Sequence, residues 1–314
     1  MELRFVSRLF LIISTIVFVA NAKAQVTDSA VFVGKKAITL SEVVINNKLN
    51  VPAFIDRVKA DTSFYKAFRN LRILNFSAIN DIRMNNSDGE VKAYLHSKTK
   101  QIRTASSCRK METLEEQSFG NIYSDDHSYN YYTAEMYASL FFTKDSICGE
   151  TNIVKGIEFS TSDMSGMEKH KQQLKMLFFN PGKKINGLPF MSGKTEIFED
   201  DMADKYDMNI DMDIHNNVNC YIFKQKVKPG KESGVVVDEM TTWFDASTFE
   251  VLARNYSLSY DAGVYDFKVS MEVEMTRFED LIVPSVIRYN GNWKAIFKKR
   301  ERGIFTATLF DFKK

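Results

Sequence analysis

Long apolar segments, cysteine and proline are scarce in this 314-residue chain, and each scarcity narrows the possible structures or sites. After residue 24 no stretch remains apolar for 18 residues, so the sequence predicts no transmembrane helix beyond its N-terminus. The three cysteines include no Cys-x-x-Cys pair, which argues against a zinc or thiol-redox motif. The five prolines are few, and this suits strands, because proline cannot donate a hydrogen bond to a β-ladder.

The chain also has no large excess of one charge and no cluster of histidines. Removing the three basic residues and the one acidic residue of the first 24 from totals of 42 and 40 leaves 39 of each. This balance gives no reason to expect nucleic acid as a partner. The four histidines are scattered and no serine lies in a Gly-x-Ser-x-Gly motif, so the sequence predicts neither a catalytic centre nor a cofactor.

The first 24 residues have the three parts of a secretory signal peptide. Arg4 and Arg8 form a basic start, and a largely apolar run follows over Leu9–Ala20. Ala22 and Ala24 then place small residues at the positions that a signal peptidase reads. We therefore predict a signal peptide over residues 1–24 and an exported mature protein. An uncleaved membrane anchor is the alternative.

In an oxidising compartment, two of the three cysteines can form a disulfide. The pair that we favour is Cys108 with Cys148, which leaves Cys220 free. The alternative is three buried thiols that pack as small apolar residues. The sequence leaves both interpretations open, since it gives no distances.

Residues 25–50 are interpreted as a lead-in segment to a single domain over 51–314. A strand is predicted within the lead-in, over 37–45. One helix, or two broken near residue 61, is then predicted up to about residue 74, because proline at 52 suits a first helical turn and the phenylalanines at 64 and 68 recur at helical spacing. A further helix is predicted over 167–179.

Strands dominate the rest of the chain. A hairpin with Asp-Gly at its tip is predicted over 77–95. Six strands are predicted at 235–244, 250–260, 267–276, 282–289, 293–300 and 305–312, separated by short turns that include 290–292 and 301–303. Such turns leave no room for the helical crossovers of a parallel sheet. The predicted fold class is α+β: a large curved antiparallel sheet, a half-barrel meander, with one to three helices on its concave face.

Phenylalanine (25) and methionine (14) are abundant. Methionine is typical of adaptable apolar surfaces, and a sheet wrapped over helices can enclose a cavity for a lipid or other apolar ligand. The strand over 267–276 alternates strictly between apolar and polar residues, so it has one dry face. We predict a ligand-lining surface on that face, with two tryptophans as neighbours: Trp243, Phe267, Val269, Met271, Val273, Met275 and Trp293. A plain packed core is the alternative.

Asp211, Asp213 and His215 alternate, so on a strand they point to the same face. Carboxylates together with an imidazole can hold calcium or a transition metal. The alternative is the solvated face of a strand, because no glycine-centred calcium loop frames these residues.

Three segments near the C-terminus, 240–249, 254–258 and 283–287, contain a Trp-x-Asp strand end, an alternating strand and a Val-Pro-x-x-Ile strand. They resemble the last strands of the outer-membrane lipoprotein carrier family, in which an incomplete barrel over helices shelters lipid chains in transit through the periplasm. Separately, residues 38–45 are similar to the end of a carboxypeptidase-regulatory-like module.

The resemblance implies a non-enzymatic binding protein in the periplasm or on the outer-membrane surface of a Gram-negative bacterium. Its expected partners are a lipid or other apolar ligand and a further protein of the envelope. An envelope structural or interaction protein is the alternative function, and a hydrolase is a third.

Overall fold

Thirteen β-strands in one sheet make up most of the structure, which is a computed structural model. It describes residues 29–46, 48–104, 107–154, 177–183, 191, 193–261, 263, 265–295 and 299–314. The strands are β1 Ser29–Val33, β2 Lys36–Leu40, β3 Asn75–Asn85, β4 Val91–Arg103, β5 Arg109–Phe119, β6 Ser146–Ile147, β7 Tyr206–His215, β8 Val218–Val227, β9 Val237–Asp245, β10 Val251–Asp261, β11 Tyr265–Phe278, β12 Leu281–Ala295 and β13 Glu301–Lys313.

The spatial order of the strands is β1-β2-β7-β8-β9-β10-β11-β12-β13-β3-β4-β5-β6. From β7 to β13 each strand pairs antiparallel with the next one in sequence, as the short turns predict. The parallel contact between β2 and β7 is the exception in the sheet. The predicted α+β class with a curved antiparallel sheet is confirmed. The predicted lead-in, residues 25–50, contributes β1 and β2 to this same sheet.

The last strand closes the meander onto the early hairpin. β13 pairs antiparallel with β3, so that Phe305 lies opposite Ile82, far away in sequence. The hairpin of β3 and β4 has the predicted turn, in which Gly89 adopts a φ of 88°. The hairpin thus extends the sheet beyond β13 and provides the wall on which the candidate site is built.

Two predicted turns are wrong, at 290–292 and at 301–303. β12 runs straight through the first, and β13 begins at the second, so the segment after residue 235 contributes five strands, β9 to β13, and not six. Both turns were predicted from a glycine. A Cβ on Gly291 would collide with the phenol of Tyr289, and a Cβ on Gly303 would lie 3.1 Å from the ring of Phe305. The glycines make room for neighbouring aromatic rings within strands, and no turn is needed there.

The predicted strand over 37–45 is partly wrong, because β2 ends at Leu40 and helix α1 follows over Glu42–Asn46. Val44 is fully buried and Val43 is exposed. A strand would place these two neighbours on opposite sides as well. Over so short a segment, hydrophobic periodicity cannot separate the two conformations.

The other helices of the described residues are α2 Val51–Ala60, α3 Ser63–Asn70, the 3-10 turn Leu71–Ile73, α4 Tyr132–Phe141 and α5 Asp200–Ala203. α2 and α3 confirm the predicted pair with its break near residue 61. α4 was not predicted. The helix predicted over 167–179 lies outside the described residues except for 177–179, which are helical.

Helices α2 and α4 pack through aromatic rings against the sheet. Phe54 of α2 makes edge-to-face contacts with Phe223 at 5.5 Å and Phe244 at 5.9 Å, and Tyr137 of α4 lies 4.4 Å from Phe305. Such pairs add about 0.5–1.5 kcal/mol to the burial of each ring. Within the described ranges, no helix is long and apolar enough to cross a membrane.

Candidate functional site

The dry face predicted for β11 is confirmed. Phe267, Val269, Met271, Val273 and Met275 are all buried, whereas Glu272 between them is exposed. Trp293 of β12 stacks on Phe267 with 4.8 Å between ring centroids. The sequence therefore places these residues together on the inner face of the sheet.

This inner face is packed at its centre. The ring of Phe178 lies 5.6 Å from Tyr289 and 6.4 Å from Trp293, and the hydroxyl of Tyr256 donates to the Phe178 carbonyl at 2.5 Å. The gap that remains beside Met271 is about 10 Å³. A space of that size holds one water molecule at most. Beside Met271 the dry face of β11 is therefore packed core, because Phe178 fills the space in which the sequence predicted a ligand.

Trp243 does not join the predicted surface. It lies on the outer face of β9, where its ring is 5.4 Å from that of His215. His215 Nε2 is 2.9 Å from a carboxylate oxygen of Glu274 on β11. This outer cluster is separated from the inner residues by the thickness of the sheet.

The predicted metal ligands do not converge. Asp211 and Asp213 each accept a hydrogen bond from the next residue's own amide, at 2.8 Å and 2.7 Å, and His215 pairs with Glu274. In the part of the chain that the structure describes, no three such side chains are placed to hold a metal ion. Each aspartate uses a carboxylate oxygen on a neighbouring backbone amide, and His215 uses Nε2 on Glu274 of β11.

A larger cavity, of about 190 Å³, lies between the helices and the other end of the sheet. Its walls come from α3, α4, β3, β4 and β13. For comparison, a cavity of about 150 Å³ lined by apolar side chains admits a benzene-sized molecule. The volume is therefore enough for one short acyl chain or one aromatic ring, and too small for a large ligand.

One side of this cavity is apolar. Phe68 and Phe179 meet there at 4.8 Å between centroids, and Phe141 lies 6.4 Å from each. Ala78 on β3 and Ala307 on β13 form the floor. Because alanine side chains are short, these two positions leave open the space that longer residues occupy elsewhere in the core.

The other side carries buried polar groups from β3 and β4. The Asn80 amide donates to Thr99 Oγ1 at 3.1 Å, and the Gln101 amide donates to the carbonyls of Leu71 and Leu74, both at 2.7 Å. Asn80, Thr99 and Gln101 are each at most 3% exposed. A mostly apolar pocket with a few fixed polar groups is the common composition of small-molecule sites.

Three arginines, Arg69, Arg72 and Arg109, line the cavity where it meets solvent, since all three are half-buried. Arg72 Nη1 donates to one carboxylate oxygen of Glu150 at 2.6 Å, and Arg109 Nε donates to the other. Arg109 also donates to Gln101 Oε1 at 3.1 Å. We call these three arginines with Glu150 the arginine cluster.

The charges of the arginine cluster influence one another. Burial lowers the pKa of Arg72; Glu150 raises it, and the charges of Arg69 and Arg109 lower it further. For Glu150, burial raises the pKa, but the hydrogen bond from Arg109 and the charges of the three arginines outweigh this, so the pKa lies below its usual value. Glu150 thus accepts hydrogen bonds from Arg72 and Arg109 and interacts with the charge of Arg69.

The predicted disulfide holds this cluster together. Cys108 and Cys148 are bonded, and Cys220 is free and buried. Arg109 directly follows the first cysteine, and Glu150 comes two residues after the second. The carbonyl of Thr151 then accepts from Arg69 Nη2 at 2.6 Å. The covalent link therefore fixes the segment that carries Glu150 above α3.

The sequence did not point to the arginine cluster, although two signals were present. Arg69 and Arg72 are three positions apart at the end of a predicted helix, and such residues lie on the same side. A basic residue next to one cysteine and an acidic residue near its partner become neighbours if the disulfide forms. Neither signal indicates that an apolar cavity lies behind the charges.

The chain is similar to two solved structures, each at a low TM-score. One is a DUF1329 family protein from Desulfovibrio piger, with a TM-score of 0.26 and 13% identity over 81% of this chain and 92% of the other. The second is an outer membrane lipoprotein-sorting protein domain from Vibrio parahaemolyticus, with a TM-score of 0.27 and 10% identity over 80% and 91%. At these TM-scores the likeness supports no conclusion about function. No protein-family model matches the chain, and no curated protein matches it.

Proposed function

We propose that this chain is an exported envelope protein that binds a small apolar ligand, without catalysis, in the cavity between α3, α4 and the β3–β4–β13 wall. The observation that carries the proposal is the cavity of about 190 Å³, which has an apolar side and fixed polar groups on the other side. Burial of each methylene there contributes about 0.8 kcal/mol, so a short acyl chain gains enough for measurable binding.

Export is part of the proposal and is supported by the signal-peptide pattern of residues 1–24 and by the disulfide, since disulfides persist in oxidising compartments. We place the mature protein in the periplasm or on the outer-membrane surface of a Gram-negative bacterium, as one folding unit that joins residues 51–314 to β1 and β2 of the lead-in. Expression in a Gram-negative host tests this. Recovery of a protein that begins at Gln25 in the periplasmic or outer-membrane fraction supports export, and an uncleaved protein in the cytosol contradicts it.

Octan-1-ol, an uncharged eight-carbon chain, is a suitable probe for the cavity. We expect its addition to shift the methyl NMR signals of Ala78, Ala307 and Leu309, which line the cavity, and to leave that of the exposed Ala37 unchanged. Saturable shifts at the lining methyls support the proposal. No saturable shift at millimolar octan-1-ol would contradict it and would favour the structural or interaction role.

A filling variant separates a cavity from an ordinary core. Ala307→Phe places a ring in the space, so we expect it to abolish octan-1-ol binding while stability is kept, because filling a real void commonly stabilises a protein. In a packed core the same change would cost about 1–3 kcal/mol. Ala37→Phe, on the exposed side of β2, is the matched control and should bind octan-1-ol as the wild type does.

A further inference from the structure

The rim of the cavity carries more positive charge than its one acid neutralises. The arginine cluster holds three guanidinium groups and one carboxylate, so two positive charges remain. The carboxylate of Glu150 bonds Arg72 and Arg109, whereas Arg69 uses Nη2 on a backbone carbonyl. Positive charge at a half-buried rim is costly, because desolvation penalises it and the three groups repel one another.

One N–H group of Arg69 lacks a hydrogen-bond acceptor among the described residues. This group is Nε–H, and it is buried. A buried donor without a partner is costly, because it has lost its hydrogen bond to water and gained no other. Arg69 also lines the cavity, so a ligand there can place an acceptor against the Arg69 guanidinium group. The guanidinium group is a planar fork that matches a carboxylate in geometry and charge.

Glu150 is not among the described residues that line the cavity, although it contacts two arginines that do. The arginines therefore contact the cavity, and Glu150 does not. Glu150 shows that the cluster binds a carboxylate, and the arginines that line the cavity can bind a second carboxylate there.

We propose that the cavity selects monoacyl or aryl acids: the apolar part lies between Phe68, Phe141 and Phe179, and the ligand carboxylate binds Arg69 and Arg72 at the rim. Glu150 limits the affinity for that acid, because it already neutralises part of the arginine charge. This inference rests on the proposed function and specifies the ligand class.

Three probes that share a straight chain of eight carbons but differ in head group test the selection: octanoate, octan-1-ol and octyltrimethylammonium. Each is titrated while the methyl signals of Ala78 and Ala307 are followed. Hydrogen bonds to charged groups contribute about 1.5–3 kcal/mol, which corresponds to about tenfold or more in affinity. We expect octanoate to bind about tenfold more tightly than octan-1-ol and the cation to bind least.

Two variants should shift the affinity for octanoate in opposite directions. Arg69→Gln keeps an N–H for the Thr151 carbonyl but removes the charge, so octanoate should lose about tenfold in affinity while octan-1-ol is unaffected. Glu150→Gln removes the competing carboxylate, so octanoate should bind more tightly. Arg288→Gln is the matched control, since Arg288 is exposed and pairs with Glu272 away from the cavity.

The outcomes separate the two claims. If octan-1-ol binds at the lining methyls and octanoate binds no more tightly, the acid selection is wrong and the apolar site remains. If Arg69→Gln weakens both probes equally, Arg69 has a structural role only and the selection is again wrong. If neither probe binds, the proposed function fails, and this inference fails with it.

Discussion

Arg254 on β10 lies beneath the break between α2 and α3, with its guanidinium group 4.0 Å from the carboxylate of Asp61. Both side chains are less than 10% exposed. Arg254 also donates to Thr242 Oγ1 at 3.0 Å and lies over the ring of Phe64 at 4.4 Å. Burial lowers the pKa of Arg254, but arginine remains charged in proteins. A buried cation thus joins the sheet to the point where the helices change direction.

Asp61→Asn should therefore destabilise the protein by about 3 kcal/mol, because it leaves the buried Arg254 without an anion. The asparagine oxygen can still accept the hydrogen bond that Asp61 Oδ1 receives from the Ser63 amide at 3.0 Å, so the start of α3 is kept. Urea unfolding measures the change. Asp56→Asn, on the exposed side of α2, is the control and should stay within about 0.5 kcal/mol. Equal effects of the two variants would mean that Asp61 does not stabilise Arg254.

Met271→Asp and Glu272→Gln test the two faces of β11. Met271 is 2% exposed, so an aspartate there is an unpaired buried charge, and the loss of the side chain alone typically costs about 2–5 kcal/mol. Glu272 is 53% exposed and its change should stay within about 0.5 kcal/mol. Thermal unfolding of both variants measures the difference. Similar losses for the two would contradict the observed facing of the strand.

That facing was predictable from the sequence, and the reason is physical. A strand has a side-chain period of two, so the alternation around Met271 and Glu272 alone fixes which residue points inward. The disulfide was predictable as a preference, since only three pairings are possible among three cysteines. These features depend on a short segment or on a small number of alternatives.

The position of the cavity was not predictable in the same way. Phe178 fills the space beneath β11, and Arg69, Arg109 and Glu150 meet at the other end of the sheet. Both facts depend on how distant segments pack. The pairing of β13 with β3, which brings the early hairpin beside the C-terminal strand, leaves no local pattern in either strand. The sequence therefore indicated an apolar inner face of the sheet, but not the end of the sheet at which the cavity lies.

Removal of the disulfide should lower stability and also disturb the arginine cluster. The bond between Cys108 and Cys148 closes a loop with a sequence separation of 40, for which the chain-entropy model gives about 4 kcal/mol. The double variant Cys108→Ala, Cys148→Ala should lose up to about that amount in urea unfolding. Reduction of the wild type should have the same effect and should add nothing in the double variant. A reductant effect of equal size in both proteins would contradict the assignment of the bond.

The pH dependence of stability should contain a contribution from Glu150, whose sign follows from its pKa. The pKa is lower in the folded state than the ordinary value of about 4.3, so the folded state binds fewer protons than the unfolded state in that range. The stabilisation is complete above the ordinary pKa and is lost as the pH falls through the lower folded value. The difference in unfolding free energy between the wild type and Glu150→Gln should therefore be constant near neutral pH and shrink below about pH 4.3.

The arginines provide the control for this titration. Arg72→Gln removes one of the charges that lower the pKa of Glu150. In the Arg72→Gln background, the change in unfolding free energy caused by Glu150→Gln should therefore be smaller at neutral pH and should vary less as the pH falls. Urea unfolding of the four proteins between about pH 3 and pH 7 completes the double-mutant cycle. A difference that does not change with pH would show that the carboxylate of Glu150 is not held in its charged form by the cluster. The arginines would then interact too weakly with Glu150 for it to compete with octanoate, and Glu150→Gln would not tighten octanoate binding.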